Sequence, residues 1–374
     1  MARTNYRSTT GESPAPYARS VRRHPYSRSG PIMPRHLRLV AVFIVLQIGA
    51  SASSQAQGPP TVVSLGTCRL EGGATIQDCR LAYRAFGRLN AARTNAVLIP
   101  TSLLGRSEDW LPLLGRDAYV DTTRFYTLVV DAFGDGHSSS PSNTLTEDRA
   151  AFRELTIADM VAAQHRLLVE HFKLSRLHAV IGISMGGMQA FEWAVRYPTF
   201  AEVVIPIMSS PQLASFDQLL WTTTLSELQN GRALGASDDS VWTQLTRLLT
   251  LFLRTSRAVN ESGSASVATE VAKEAGVLRQ TWTLEDYAAQ LHAVLRHDVA
   301  ARFGRDLSRA AKEVRARMLV IFSWDDHMLM AGSGVAFARY ARADTLSISS
   351  PCGHTASVCE RARIGVAVRE FLAR

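Results

Sequence analysis

Residues 182–187 read GISMGG and lie between the apolar run LHAVI and the segment MQAFEWAVRYP. A buried strand has to become a helix within that stretch, which leaves room for few side chains. Gly182 and Gly186 stand two residues before and two after Ser184, matching the pattern Gly-x-Ser-x-Gly. In that pattern a strained strand-to-helix turn lifts a serine hydroxyl above a sheet, and bulky neighbours would block the turn. A tight packing turn uses the same small residues. The strand before it and the helix after it favour a nucleophile, and they call for a parallel strand whose following helix packs back on the sheet.

Strand-like and helix-like segments alternate around this junction. LAYRAFG, AVLIP, FYTLVVDAFG, LHAVIGI and AEVVIPIMS read as strands, several as the continuous apolar runs of strands buried on both faces. LTIADMVAAQHRLLVEHFKL carries Ile157, Met160, Val161, Leu167 and Leu168 at helical spacing, and Pro198 stops the helix MQAFEWAVRYP. The alternation predicts an α/β fold, a mostly parallel sheet with helices on both faces. It ceases between residues 211 and 312, where TTTLSELQ, VWTQLTRLLTLFLR and TLEDYAAQLHAVLRHD are helical in period and SGSASVATE reads as a loop. RARMLVIFSWDD then restores a strand, and ARIGVAVREFLAR is an amphipathic helix. The expected organisation is a leader at 1–57, an α/β core at 58–210 and 313–374, and a helical cap inserted at 211–312.

A serine hydroxyl is a poor nucleophile until a base takes its proton, and the base needs a carboxylate to orient it. On such a sheet the acid and then the histidine follow the serine in the chain. Asp325 and Asp326 come directly after the strand MLVIFSW, and His354 lies in the loop SPCGHTAS after the strand TLSIS. Ser184 is therefore the expected nucleophile and His354 the expected base, with Asp326 preferred to Asp325 as the acid. Of the other nine histidines, His24 and His36 fall in the leader, and His165, His171, His178 and His292 within or beside helix or strand patterns. His137 lies in the loop DGHSSSPS upstream of the serine, while His297 and His327 are harder to set aside. The oxyanion of an acyl-transfer intermediate needs two backbone donors. The N–H of Met185, at the start of the helix, and that of Leu103, in the loop after NAVLIP, are the candidates.

Several long blocks in order resemble the homoserine O-acetyltransferase family of α/β hydrolases. They are LAYRAFGRLN, NAVLIPTSLLG, DTTRFYTLVVDAFGDGHSSSPSNT, LTIADMVAAQHRLLVEHFKL, GISMGGMQAFEWAVRYP and SPCGHTAS. The run FGDGHSSSPSNT resembles a divergent branch of that family, and the similarity covers roughly residues 65–210 and 315–374. The resemblance implies an α/β-hydrolase fold and a Ser–Asp–His triad at Ser184, Asp326 and His354, with Leu103 in the oxyanion loop. The family's acid begins an Asp-x-x-x-Pro-like stretch; DHMLM fills that slot without the proline. In members that acetylate homoserine, an aspartate after the histidine binds the substrate's amine. Here Thr355 takes that place, and a hydroxyl brings no charge to pair with an ammonium.

The charge balance depends on where the leader ends. The formal net charge is +8, of which residues 1–57 carry +7 through eight Arg and one Glu. The remaining +1 gives no basic surface for nucleic acid. Within the leader, Arg35 and Arg38 precede the 12-residue apolar run Leu39–Ala50, and small residues surround Ala52 and Ala56. That order is the grammar of a secretory signal peptide over residues 33–56, with Met33 an alternative start. The apolar run is short for a membrane span, so stable insertion after cleavage is not expected, though an uncleaved anchor is the competing reading. All four cysteines, Cys68, Cys79, Cys352 and Cys359, lie beyond it in two close pairs. In an oxidising compartment the most local pairing is 68–79 and 352–359, the first across a hairpin turning at Gly-Gly; four buried thiols are the alternative. Neither pair has the spacing of a zinc site, and no metal or other cofactor is expected. The expected function is serine-dependent acyl transfer or ester hydrolysis on a small ester or thioester, by an exported enzyme that is free to be a homodimer. A true homoserine O-acetyltransferase using acetyl-CoA, and a non-catalytic binding protein of the same fold, are the alternatives.

Overall fold

The hairpin expected at Gly72-Gly73 joins β1 (Thr61–Arg69) to β2 (Thr75–Phe86) in antiparallel register, with Thr61 opposite Tyr83. This computed structural model describes residues 58–374; the leader and its signal segment lie outside the described residues. The apolar runs form β3 (Ala96–Pro100), β4 (Tyr126–Val130), β5 (Leu177–Ile183), β6 (Ala201–Ile207), β7 (Arg317–Ser323) and β8 (Asp344–Ile348). They make one 8-stranded sheet in the order β1-β2-β4-β3-β5-β6-β7-β8. Beyond the two antiparallel pairings of β2, every neighbouring pair is parallel. Parallel neighbours need helical crossovers, which is why helices cover both faces.

Strand side chains alternate between those faces. Leu98, Val180, Val204 and Val320 pack into one core layer, and Val97, Ile99, Ala179, Ile181 and Val203 into the other. Each such valine, leucine or isoleucine, wholly removed from water, contributes about 1.5–3 kcal/mol relative to leaving it exposed. The first helices are α1 (Ile157–Arg166), begun by a Thr156–Asp159 capping box, and α2 (Met185–Arg196), in which every residue but Arg196 is buried.

Between β6 and β7 the chain is helical: α3 (Ser215–Ala233), α4 (Asp238–Leu253), α5 (Ser256–Ser262), α6 (Ser264–Thr281), α7 (Leu284–Leu295) and α8 (Leu307–Ala311). Ser237, Thr255 and Thr283 cap α4, α5 and α7, their side-chain oxygens accepting N–H groups of Ser240, Ala258 and Asp286. Each cap contributes about 1 kcal/mol. Trp221, Trp242 and Tyr287 are buried among these helices, with Trp242 stacked on Tyr287 at 5.5 Å, and they join the core layer that includes Leu98 and Val180.

The loop expected at SGSASVATE is not there. Only Gly263, at φ 78°, interrupts the helices, and α6 begins at Ser264. Val271, Ala275 and Leu278 are buried on α6, which packs along α4, so tertiary packing overrides a composition of small polar residues. After β7 come α9 (Ala331–Ala341), α10 (Ala356–Cys359) and α11 (Arg361–Ala373). Cys68 is bonded to Cys79 and Cys352 to Cys359. Among the described residues no helix is long and apolar enough to cross a membrane.

Candidate active site

Ser184 sits between β5 and α2 with φ 56° and ψ −122°, a region that non-glycine residues seldom occupy. The turn is close-fitting. A Cβ on Gly182 would come 2.0 Å from the Gly186 carbonyl oxygen, and one on Gly186 would come 2.3 Å from that of Pro100. Both glycines are thus demanded by backbone contact. Gly187 differs: its missing Cβ leaves space for the Ser209 side chain, at 2.5 Å, whose Oγ donates to the Ser184 carbonyl at 2.8 Å. The Ser184 N–H donates to Ile207 O at the end of β6.

His354 lies in a short 3-10 turn, Gly353–Thr355, and is buried. Its Nε2 is 2.9 Å from Ser184 Oγ and its Nδ1 is 2.8 Å from Asp326 Oδ2. The other Asp326 oxygen accepts the N–H groups of Met328 and Leu329 at 2.9 and 3.0 Å. Asp326 is therefore satisfied on both oxygens while only 2% exposed. Asp325 turns the other way: its Oδ2 accepts Ser349 Oγ and the Ser350 N–H at 3.1 and 3.0 Å. Serine, histidine and Asp326 come from the carboxyl-end loops of β5, β8 and β7, the edge where open α/β sheets present their ligand crevices.

The two expected oxyanion donors lie on the same edge. Met185 is the first residue of α2, so its N–H has no acceptor within the helix. Leu103 follows β3 in a loop tied to β5 by Ser102 Oγ, which donates to Ile183 O at 2.8 Å. Thr355 turns its hydroxyl inward to Cys352 O at 2.8 Å.

Among the described residues the other histidines are elsewhere. His297 is buried with its Nε2 3.0 Å from Ser210 O, and burial lowers its pKa to about 4. His137 Nδ1 is 3.3 Å from Asp131 Oδ2. His165 stacks on Tyr197 and His178 on Phe125, while His327 is exposed.

Two neighbours of the site escaped the sequence reading. Asp217, on the first turn of α3, is buried and accepts the N–H of Met330 and of Ala214, each at 3.0 Å. Burial lifts its pKa to about 6, and the Asp326 charge adds to that. Thr255 donates both its N–H and its hydroxyl to Pro351 O, in the histidine loop. The long-range partners of both, Met330 and Pro351, are 113 and 96 residues away in the chain, and no local pattern in the sequence points to them.

The alpha/beta hydrolase fold family matches residues 95–358. An ethyl acetate hydrolase of Pseudomonas veronii is 37% identical over 172 residues, 46% of this chain and 49% of that protein. A homoserine O-acetyltransferase of Methanococcoides burtonii is 34% identical over 176 residues, 41% of this chain and 36% of that protein. The chain spans about half the length of the curated relatives it matches first. The crystal structure of an acetylester hydrolase from Corynebacterium glutamicum superposes with a TM-score of 0.79 at 25% identity, covering 86% of this chain and 98% of that one.

Proposed function

This chain belongs to the alpha/beta hydrolase fold family, and from that premise we propose that it is an exported serine hydrolase of short-chain esters that works through an acyl-enzyme. The observation that carries the reading is the continuous relay Ser184 Oγ–His354 Nε2, His354 Nδ1–Asp326, at 2.9 and 2.8 Å. His354 takes the serine proton as Oγ attacks the ester carbonyl. The N–H groups of Met185 and Leu103 receive the oxyanion, each such donor being worth about 2.7–4 kcal/mol in the transition state. Asp326 steadies the imidazolium, which then gives its proton to the departing alcohol as the ester C–O bond breaks. Water repeats the sequence on the acyl-serine, releasing a carboxylic acid and restoring Ser184.

Water as the acceptor is supported by Thr355. Its hydroxyl is engaged with Cys352 O, leaving no anion at the place where the resemblance expects one to hold an amine. Export is supported by the signal-like segment at 33–56 and by the two disulfides.

The test is a substrate panel on the mature protein: short-chain esters in water, and acetyl-CoA with homoserine. Ester turnover without homoserine acetylation is expected. Acetylation of homoserine at a higher kcat/KM than ester hydrolysis would instead make it a homoserine O-acetyltransferase. Absence of any turnover would favour a binding protein.

A further inference from the structure

The loop carrying His354 is fastened by residues outside the relay. On its upstream side Asp325 Oδ2 holds Ser349 Oγ and the Ser350 N–H. From the helical insertion Thr255 donates twice to Pro351 O, at 3.2 and 2.8 Å. Gly353, at φ 57°, leaves no slack: a Cβ there would lie 3.1 Å from Leu253 O and 3.2 Å from Asp325 O. Downstream, Tyr119 donates its hydroxyl to Ser357 O at 2.5 Å. The only covalent hold is the bond from Cys352 to Cys359, which encloses His354 and the whole of α10 in one small ring.

We propose that the Cys352–Cys359 disulfide is a positioning device for His354, keeping its imidazole within reach of Ser184 and Asp326 at once, so that turnover depends on this bond while the fold does not. The proposal rests on the reading of His354 as the base. The two disulfides are placed for different work. Cys68 and Cys79 are buried where β1 meets β2, at the far edge of the sheet from β7 and β8. Cys359 is exposed beside the site. A dithiol reductant therefore reaches the 352–359 bond first. It delivers two electrons and two protons to the S–S bond, yielding two thiols and the reductant's own disulfide.

The test follows hydrolysis of p-nitrophenyl acetate by the mature chain during titration with dithiothreitol, with free thiols counted and far-ultraviolet circular dichroism recorded. Opening one disulfide should lower kcat at least about tenfold, since small displacements of a catalytic group carry penalties of that order. KM should stay within about twofold and the dichroism should not change, which a merely structural role would not produce. Reoxidation should restore the rate. The double variant C352S/C359S should show the same low kcat and no response to the reductant; C68S/C79S should keep both the wild-type rate and the reductant-induced loss. Unchanged kcat after the 352–359 bond opens, or a loss of rate that only accompanies loss of dichroism, overturns the proposal. Ser184→Ala, assayed in parallel, separates the two claims. If it hydrolyses the ester as fast as wild type, the reading of the site is wrong. If it is inactive while the bridge-free protein is fully active, only the positioning role is wrong.

Discussion

At the scale of single residues, two adjacent acids have separate partners. Asp326 meets His354 and two backbone N–H groups, whereas Asp325 ties down Ser349 and Ser350. Asp326→Asn should lower kcat on a short-chain ester by about 10⁴, because the amide favours the wrong imidazole tautomer. Asp325→Asn should cost at most about a hundredfold, through displacement of the loop. Equal losses, or the reverse order, would contradict the assignment. The sequence placed both acids after β7 and the resemblance favoured the second, but the turn that aims only one at His354 is a tertiary fact. Two buried groups make opposite contributions with pH. Asp217 has its pKa raised from 3.8 to about 6 by burial. Between those values the folded chain keeps a proton that the unfolded chain loses, so stability falls as pH rises through the window. His297 is lowered from 6.5 to about 4, again by burial. There the unfolded chain holds the extra proton, and stability falls as pH drops. Urea unfolding between pH 4 and 6.5 should show Asp217→Asn gaining on wild type as pH rises and His297→Gln gaining as pH falls. Each change should be on the order of 1–3 kcal/mol across its window.

At the scale of elements, the strand-to-helix turn was the most legible feature, because its glycines answer a steric demand that only a missing side chain meets. Gly182 and Gly186 face backbone atoms, and Gly187 faces first the side chain of Ser209, with the Gly182 carbonyl oxygen next at 3.0 Å. A Gly187→Ala substitution should therefore lose about 1–3 kcal/mol of unfolding free energy as overpacking, and part of that should return in the double variant G187A/S209G. Gly182→Ala should not be rescued by S209G; a double-mutant cycle in urea separates the cases. The strands were equally plain, since burial on both faces writes continuous apolar runs. The helical insertion was legible in period but not in detail. SGSASVATE has the small, polar composition of a loop, yet it forms the first half of α6, which packs along α4 and buries Val271, Ala275 and Leu278 beyond that segment. Strand order was not legible either, because which strands pair depends on contacts between distant segments.

At the scale of the whole molecule, the two disulfides join the local pairs that spacing suggested. They agree with an oxidising destination, and with a leader that holds nearly all the excess positive charge. Production of the full chain in a bacterium with an active secretion pathway should yield a protein outside the cytoplasm whose N-terminal sequence begins at Ser53 or Gln57, just after the small-residue sites. An intact leader on a cytoplasmic product would contradict export. The central claim is nonetheless chemical: a single serine, held on a strained turn, carries the acyl group. Incubating the mature protein with a fluorophosphonate probe and mapping the modified peptide, with p-nitrophenyl acetate turnover measured alongside, tests it most directly. The account predicts one adduct, on Ser184, loss of turnover in proportion to labelling, and a Ser184→Ala variant that is unlabelled and slower by about 10⁴ or more. An adduct on another residue, or wild-type turnover by Ser184→Ala, would contradict it.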